Sequence, residues 1–207
     1  MIEMYAWIQA KGSKDNPVIR VNPLVVAPSP LRNKCEFTVG ASDDGNTNKP
    51  AAGFMASGWS GGVAFYDDLP HIPAEMTEVV HRCNAFWNTT TQFPPYSPIT
   101  NTGFWRMLTV RTSRRTGQCM VMVQHNRPCE HRHETNVDTD AEDALKVERF
   151  AVERQQLIDL LTASPLSPEV KVTSIFFQEC TYTDGCRRQC EVCDEYMFFL
   201  TFRCSWE

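Results

Sequence analysis

The chain has 207 residues, 42% of them hydrophobic, and a formal net charge of −5. That size and apolar content allow a buried core, and no apolar run reaches the length of a membrane-crossing helix, so composition excludes both a disordered chain and a helical membrane span. The acidic balance excludes indiscriminate coating of nucleic acid but leaves room for a local basic face.

Residues 1–30 carry Pro17, Pro23, Pro28 and Pro30 and read as an extended lead-in, because proline forbids a helix interior and disfavours a central strand. The opening MIEMYAWIQAKGSKDNP lacks the basic head and long apolar stretch of a secretory signal, which points to an intracellular protein. The nine cysteines, an odd number, are then expected to be mostly reduced, with Cys35, Cys83 and Cys119 acting as small hydrophobes.

LRNKCEFTVG alternates as a strand, with Leu31, Cys35, Phe37 and Val39 on its apolar side. ASDDGNTNKPAAG is turn chemistry, and GFMASGWSGGVAFYDD predicts a glycine-interrupted hairpin. HIPAEMTEVVHRCNAFW predicts a helix with Pro73 in its first turn and Met76, Val79, Val80, Cys83 and Phe86 on one face. NTTTQFPPYSPITNTG reads as a loop, followed by the strands FWRMLTVRTS and QCMVMVQH around Thr116-Gly117. NRPCEHRHETNVD reads as a polar loop, in which Cys129, His131 and His133, with His125 just before, favour a solvated segment over a zinc site. A long helix is expected from Asp140 to Thr162, with Thr139 and Glu142 at capping-box spacing and Val147, Phe150, Ala151, Leu157, Ile158 and Leu161 as its buried stripe. VKVTSIFFQE and YMFFLTFRC are further strands. Hairpin strands with two or more packed helices give an α+β fold with a mostly antiparallel sheet.

GFWRMLTVRTSRRTGQCMVMV concentrates positive charge on a hairpin of this acidic chain. Strict alternation places Leu108 and Val110 in the core and Trp105, Thr109, Arg111 and Ser113 on the opposite face, with Arg114 and Arg115 at the turn. Guanidiniums suit phosphate contacts and an exposed indole suits stacking of an unpaired base. Arg32 and Lys34 offer a neighbouring strand of the same polarity. The alternative is a solvated sheet face whose arginines pair with acids such as Asp138 and Glu142.

LRNKCEF, HIP at a helix start, TGFWRMLTVRTSRR and LTFR resemble, in that order, the central domain of the tRNA (uracil-5-)-methyltransferases, especially their eukaryotic branch. The similarity covers most of residues 31–179, with LTFR an outlying match. It implies an antiparallel-sheet domain that grips RNA, with basic contacts at Arg32 and Lys34 and a base-contacting aromatic near Trp105. The expected partner is tRNA in its T-loop uridine region, with no membrane. Methylation at carbon 5 of uracil needs a cysteine thiolate, a base and a bound methyl donor. The family draws these from a C-terminal S-adenosylmethionine-binding domain. Its glycine-rich donor loop and Ser-Cys-Asn context are not found in these 207 residues, where LTFR continues as CSWE. The resemblance therefore implies the RNA-binding part of a methyltransferase, truncated, inactive by itself and without S-adenosylmethionine.

Residues 180–207 read as a cysteine-rich tail. Cys180, Cys186, Cys190 and Cys193 lie close enough to hold zinc or an iron-sulfur cluster, although they lack paired C-x-x-C spacing. The competing reading is free thiols in a loop. On the metal reading the chain is a protein-interaction module, and a third possibility is an independent enzyme using one thiol.

Overall fold

The computed structural model describes residues 32–43, 49–56, 62–128 and 137–180, with side chains undescribed at 137–140. The expected lead-in at 1–30 and nearly all of the 180–207 tail lie outside these residues. Six strands form one sheet: β1 (Lys34–Ala41), β2 (Pro50–Met55), β3 (Val63–Ala64), β4 (Trp105–Ser113), β5 (Gln118–Asn126) and β6 (Lys171–Cys180). Their order is β3-β2-β1-β4-β5-β6. Two helices, α1 (Ala74–Thr89) and α2 (Val137–Thr162), complete an α+β fold, and no helix among the described residues is long and apolar enough to cross a membrane.

Connection length sets strand direction. The short turn at Arg114–Gly117 closes β4 and β5 as an antiparallel hairpin, with Gly117 at φ +65°, a conformation that favours glycine. A side chain at Gly117 would also strike the Glu169 carbonyl. Between β5 and β6 the chain runs through α2, and that crossover makes the pair parallel while every other pair is antiparallel.

Both helices cover one face of the sheet. From α1, the expected Met76, Val79, Val80, Cys83 and Phe86 are all buried against Cys35, Phe37 and Val39 of β1 and Leu108 and Val110 of β4. From α2, Phe150, Leu157 and Leu161 enter the core, and Ile158 packs against it. Three expectations need correction. Val147 and Ala151 are exposed, and Glu153 takes the buried position between Phe150 and Leu157. Helix α2 starts at Val137, so Thr139 falls inside its first turn and is not its cap. Strand β2 begins at Pro50, within the segment expected to be a turn, and its partner β3 has only two residues.

Arg82 fastens the two helices together. Its guanidinium donates to the carbonyls of Ser164 (2.8 Å) and Pro165 (3.0 Å) and to the Ser164 hydroxyl (2.9 Å), just past the end of α2. Glu78, one turn earlier on α1, holds its Nε at 2.7 Å. These carbonyls lie in the negative end of α2, where a cation is favoured. Arg82→Ala is expected to cost about 2 kcal/mol, because the exposed carbonyls can rehydrate in part. A urea midpoint unchanged by the substitution would contradict this role.

Candidate nucleic-acid interface

Strand β4 does not alternate strictly. Between Trp105 and Met107 the register slips: Trp105 lies opposite His125, whereas Met107 lies opposite Gln124. Two residues on β4 thus match one on β5, a β-bulge, and the extra residue reverses which face each earlier side chain takes. Trp105 therefore joins Leu108 and Val110 on the core face and is fully buried. This corrects its expected place as an exposed stacking ring.

The indole is held on all sides. Its Nε1 donates to the Thr91 hydroxyl at 3.0 Å, and that hydroxyl donates to Glu153 Oε2 at 2.6 Å. Glu153 Oε1 accepts from the Gln92 N–H at 3.0 Å. Phe104 and Trp87 lie edge-on or tilted against the ring at 4.8 and 5.7 Å between centroids. A carboxylate is rarely buried unpaired, and these donors account for Glu153, which sequence pattern did not single out.

His125, expected near the end of β5, is buried in the same aromatic cluster, stacked on Phe104 at 5.0 Å. Its Nδ1 donates to the Asn126 carbonyl at 2.7 Å. Burial lowers its pKa, reinforced by Arg154 and opposed by the Asn126 contact and Glu179. The unfolded chain therefore takes up this proton at a higher pH than the folded one, and stability falls as pH drops below about 6.5. The loss stops growing once pH passes below the folded value. Urea midpoints measured from pH 7 to pH 5 should fall for the native protein and fall less for His125→Phe; parallel curves would rule out His125 as the cause.

The guanidiniums behave differently from the tryptophan. Arg32, Arg111, Arg114 and Arg115 all line one cleft of about 520 Å³ at the β4–β5 turn, with Gln118 and Ser174 contributing polar groups. Arg32 reaches it from just before β1, Arg111 from the outward face of β4, and the other two from the turn. Arg111, Arg114 and Arg115 are exposed. Arg114 also approaches the buried Glu75 of α1 at 3.7 Å, an ion pair that ties the turn to the helix start. Lys34 is the cross-strand partner of Arg111, yet its ammonium pairs with Glu36 at 2.7 Å and it is not among the cleft's lining residues. Arg106, the remaining arginine of the hairpin, is turned aside: it lies over the Tyr96 ring at 4.1 Å and donates to Asn126 Oδ1.

Thus the structure brings together four of the six residues expected to contact RNA, leaves Lys34 beside them, and removes Trp105 to the core. The Arg32–Arg115 association was foreshadowed by charge and strand polarity. The bulge had no signal in the sequence of β4 by itself, because register is a property of two strands.

Cys35, Cys83 and Cys119 are free and buried, and Cys180 is buried. Burial pushes the Cys119 thiol up to about 12, helped by the charge of Glu75, and raises that of Cys83 further. Of the cysteine cluster, Cys180 ends β6, whereas Cys186, Cys190 and Cys193 lie outside the described residues. Among the described residues no group of three or more His, Cys, Asp or Glu side chains is placed to hold a metal ion.

No protein-family model matches the chain. Over 105 residues it is 42% identical to tRNA (uracil-5-)-methyltransferase homolog A of Mus musculus, a match covering 47% of this chain and 16% of that protein. The Homo sapiens homolog A is 43% identical over 97 residues, covering 44% of this chain and 15% of that one. Zinc finger CCCH domain-containing protein 24 of Arabidopsis thaliana is 31% identical over 112 residues, covering 51% of this chain and 13% of its own. Among solved structures, the Pyrococcus abyssi tRNA (uracil-54, C5)-methyltransferase in complex with S-adenosyl-L-homocysteine aligns with a TM-score of 0.37 and 17% identity, over 56% of this chain and 24% of that one. The chain spans about a sixth of the length of the mammalian relatives it matches. Over somewhat less than half of its length, the chain is therefore similar to a part of the tRNA (uracil-5-)-methyltransferase homologs A.

Proposed function

We propose that this protein binds tRNA through the cleft formed by Arg32, Arg111, Arg114 and Arg115, and that it does not transfer methyl groups by itself. The convergence of four guanidiniums from separate parts of the sheet carries the reading. Like charges gathered in one cleft repel one another, with Glu75 offsetting only Arg114, and a run of phosphates supplies the compensating charge, with arginine able to grip each by two parallel hydrogen bonds. The names of the mammalian relatives favour tRNA as the source of those phosphates. A uridine of the T-loop is the target this reading takes from the family resemblance.

The described residues do not suit the methyl donor. Their one strand–helix–strand crossover, β5–α2–β6, is joined at residues 127–136 by RPCEHRHETN, which contains no glycine. Donor and dinucleotide sites of that topology use glycines to bring backbone close to the ligand. Nor do the Cys83 and Cys119 thiols suit attack on carbon 6 of uracil. The nucleophile is the thiolate, and burial keeps Cys83 and Cys119 protonated at neutral pH. The cysteines after Cys180 lie outside the described residues, so the assay below includes the whole chain.

The test is tRNA binding by the 207-residue protein, its Arg114→Ala/Arg115→Ala variant, and a methyl-transfer assay with S-adenosylmethionine. The double variant is expected to bind tRNA at least tenfold more weakly at low salt, and neither protein is expected to form product. Undiminished binding by the variant would overturn the cleft, and product formation would overturn the inactivity.

A further inference from the structure

The basic cleft continues onto the sheet face that the helices leave uncovered. Arg111, Met120 and Ser174 belong to both, since they line the cleft and stand in register across β4, β5 and β6: Arg111 opposite Met120, and Met120 opposite Ser174. Two residues further along, roughly 7 Å by strand geometry, Thr109, Met122 and Phe176 form the next row. Phe176 is half-buried. Its neighbour Phe177 packs against the core and meets His125 and Phe150 edge-on or tilted, whereas Phe176 is not part of that apolar cluster. Thr109, on the outward face, is buried with its hydroxyl unpartnered in hydrogen bonding among the described residues.

We propose that Phe176, flanked by Met122 and Met120, is the surface on which an unpaired base of the bound RNA lies. The proposal rests on the RNA reading of the cleft and names the aromatic ring that this reading needs once Trp105 is in the core. The chemistry fits a single-stranded nucleotide run. Arginines at one end of the row hold phosphate, and a ring between polarizable thioethers offers a face that any base can cover. Charge favours RNA over an apolar peptide, because four guanidiniums line the adjoining cleft, while Glu36, the acid opposite Thr109 in this row, is paired with Lys34 at 2.7 Å.

The experiment measures binding of a T-arm RNA hairpin and of a uridine decamer to the whole chain and to Phe176→Leu, Phe176→Tyr and Arg114→Ala/Arg115→Ala. Phe176→Leu keeps an apolar side chain of similar reach but has no ring. It is expected to weaken binding about 5- to 150-fold, the effect of losing one base stack, with the dependence on salt unchanged. Phe176→Tyr is expected to bind like the native protein. If the arginine variant loses affinity while Phe176→Leu does not, the base platform is wrong and the RNA cleft stands. If neither loses affinity, both fail. Equal losses in the leucine and tyrosine variants would mean that the ring is structural, and would overturn the platform. Tighter capture of a polyglutamate peptide than of either RNA would also overturn it.

Discussion

Trp105→Ala is expected to destabilise the protein by about 3–5 kcal/mol, the range for emptying a core of a large aromatic side chain. The indole has no measurable exposure and is surrounded by Trp87, Phe104, His125 and Phe150. Truncation leaves a cavity under both helices and deprives the Thr91 hydroxyl of one of its two donors. Trp105→Phe keeps most of the volume and loses the N–H, so its cost should be about 1–3 kcal/mol. An exposed stacking ring behaves in the opposite way: its removal would leave the urea midpoint unchanged and weaken RNA binding. Denaturation of the three proteins, read alongside RNA affinity under conditions where each is folded, separates the two roles.

Glu153→Ala is expected to cost about 2–4 kcal/mol, from the loss of two hydrogen bonds to a charged acceptor and the stranding of their donors. The Gln92 N–H and the Thr91 hydroxyl both point to this carboxylate, and Thr91 is also the acceptor for Trp105 and for the Phe93 N–H. Through this chain α2 fixes the loop after α1, which in turn fixes the indole. Glu153 and Trp105 share Thr91, so their effects should not add. A double-mutant cycle between Glu153→Gln and Trp105→Phe is expected to show a coupling of at least about 0.5 kcal/mol. Strict additivity would mean that the Thr91 bridge carries no energy.

How far the sequence reaches is clearest in β4. Helix α1 was readable because its apolar face repeats at three- and four-residue spacing, and all five residues assigned to it are buried. The β4–β5 hairpin was readable from alternation and from a glycine at its turn. Alternation then misplaced Trp105, since one bulge inverts the face of everything on its far side. In α2 the periodicity itself was ambiguous: Val147 and Ala151 fit an apolar stripe, but none of the side chains at 141–149 is buried, and Leu145, Val147 and Val152 are exposed. The buried Glu153 is invisible to any reading that equates burial with apolar character. Its burial is possible only because the loop at residues 91–92 presents two donors to it. The association of Arg32 with the turn arginines was partly readable, as charge on neighbouring strands. That Lys34 and Arg106 would be diverted to Glu36 and Tyr96 depended on side-chain partners that spacing does not specify.

The claim that four guanidiniums form one phosphate-binding cleft is tested most directly by the salt dependence of tRNA binding. Each phosphate contact removed from a single-stranded segment should lower the slope of log affinity against log salt by about 0.7. A variant with Arg32, Arg111, Arg114 and Arg115 all changed to glutamine is therefore predicted to lose roughly 2–3 units of slope, while Lys34→Gln and Arg106→Gln each change it far less. The same slope for the native and fourfold-substituted proteins, each folded by its urea transition, would contradict the account.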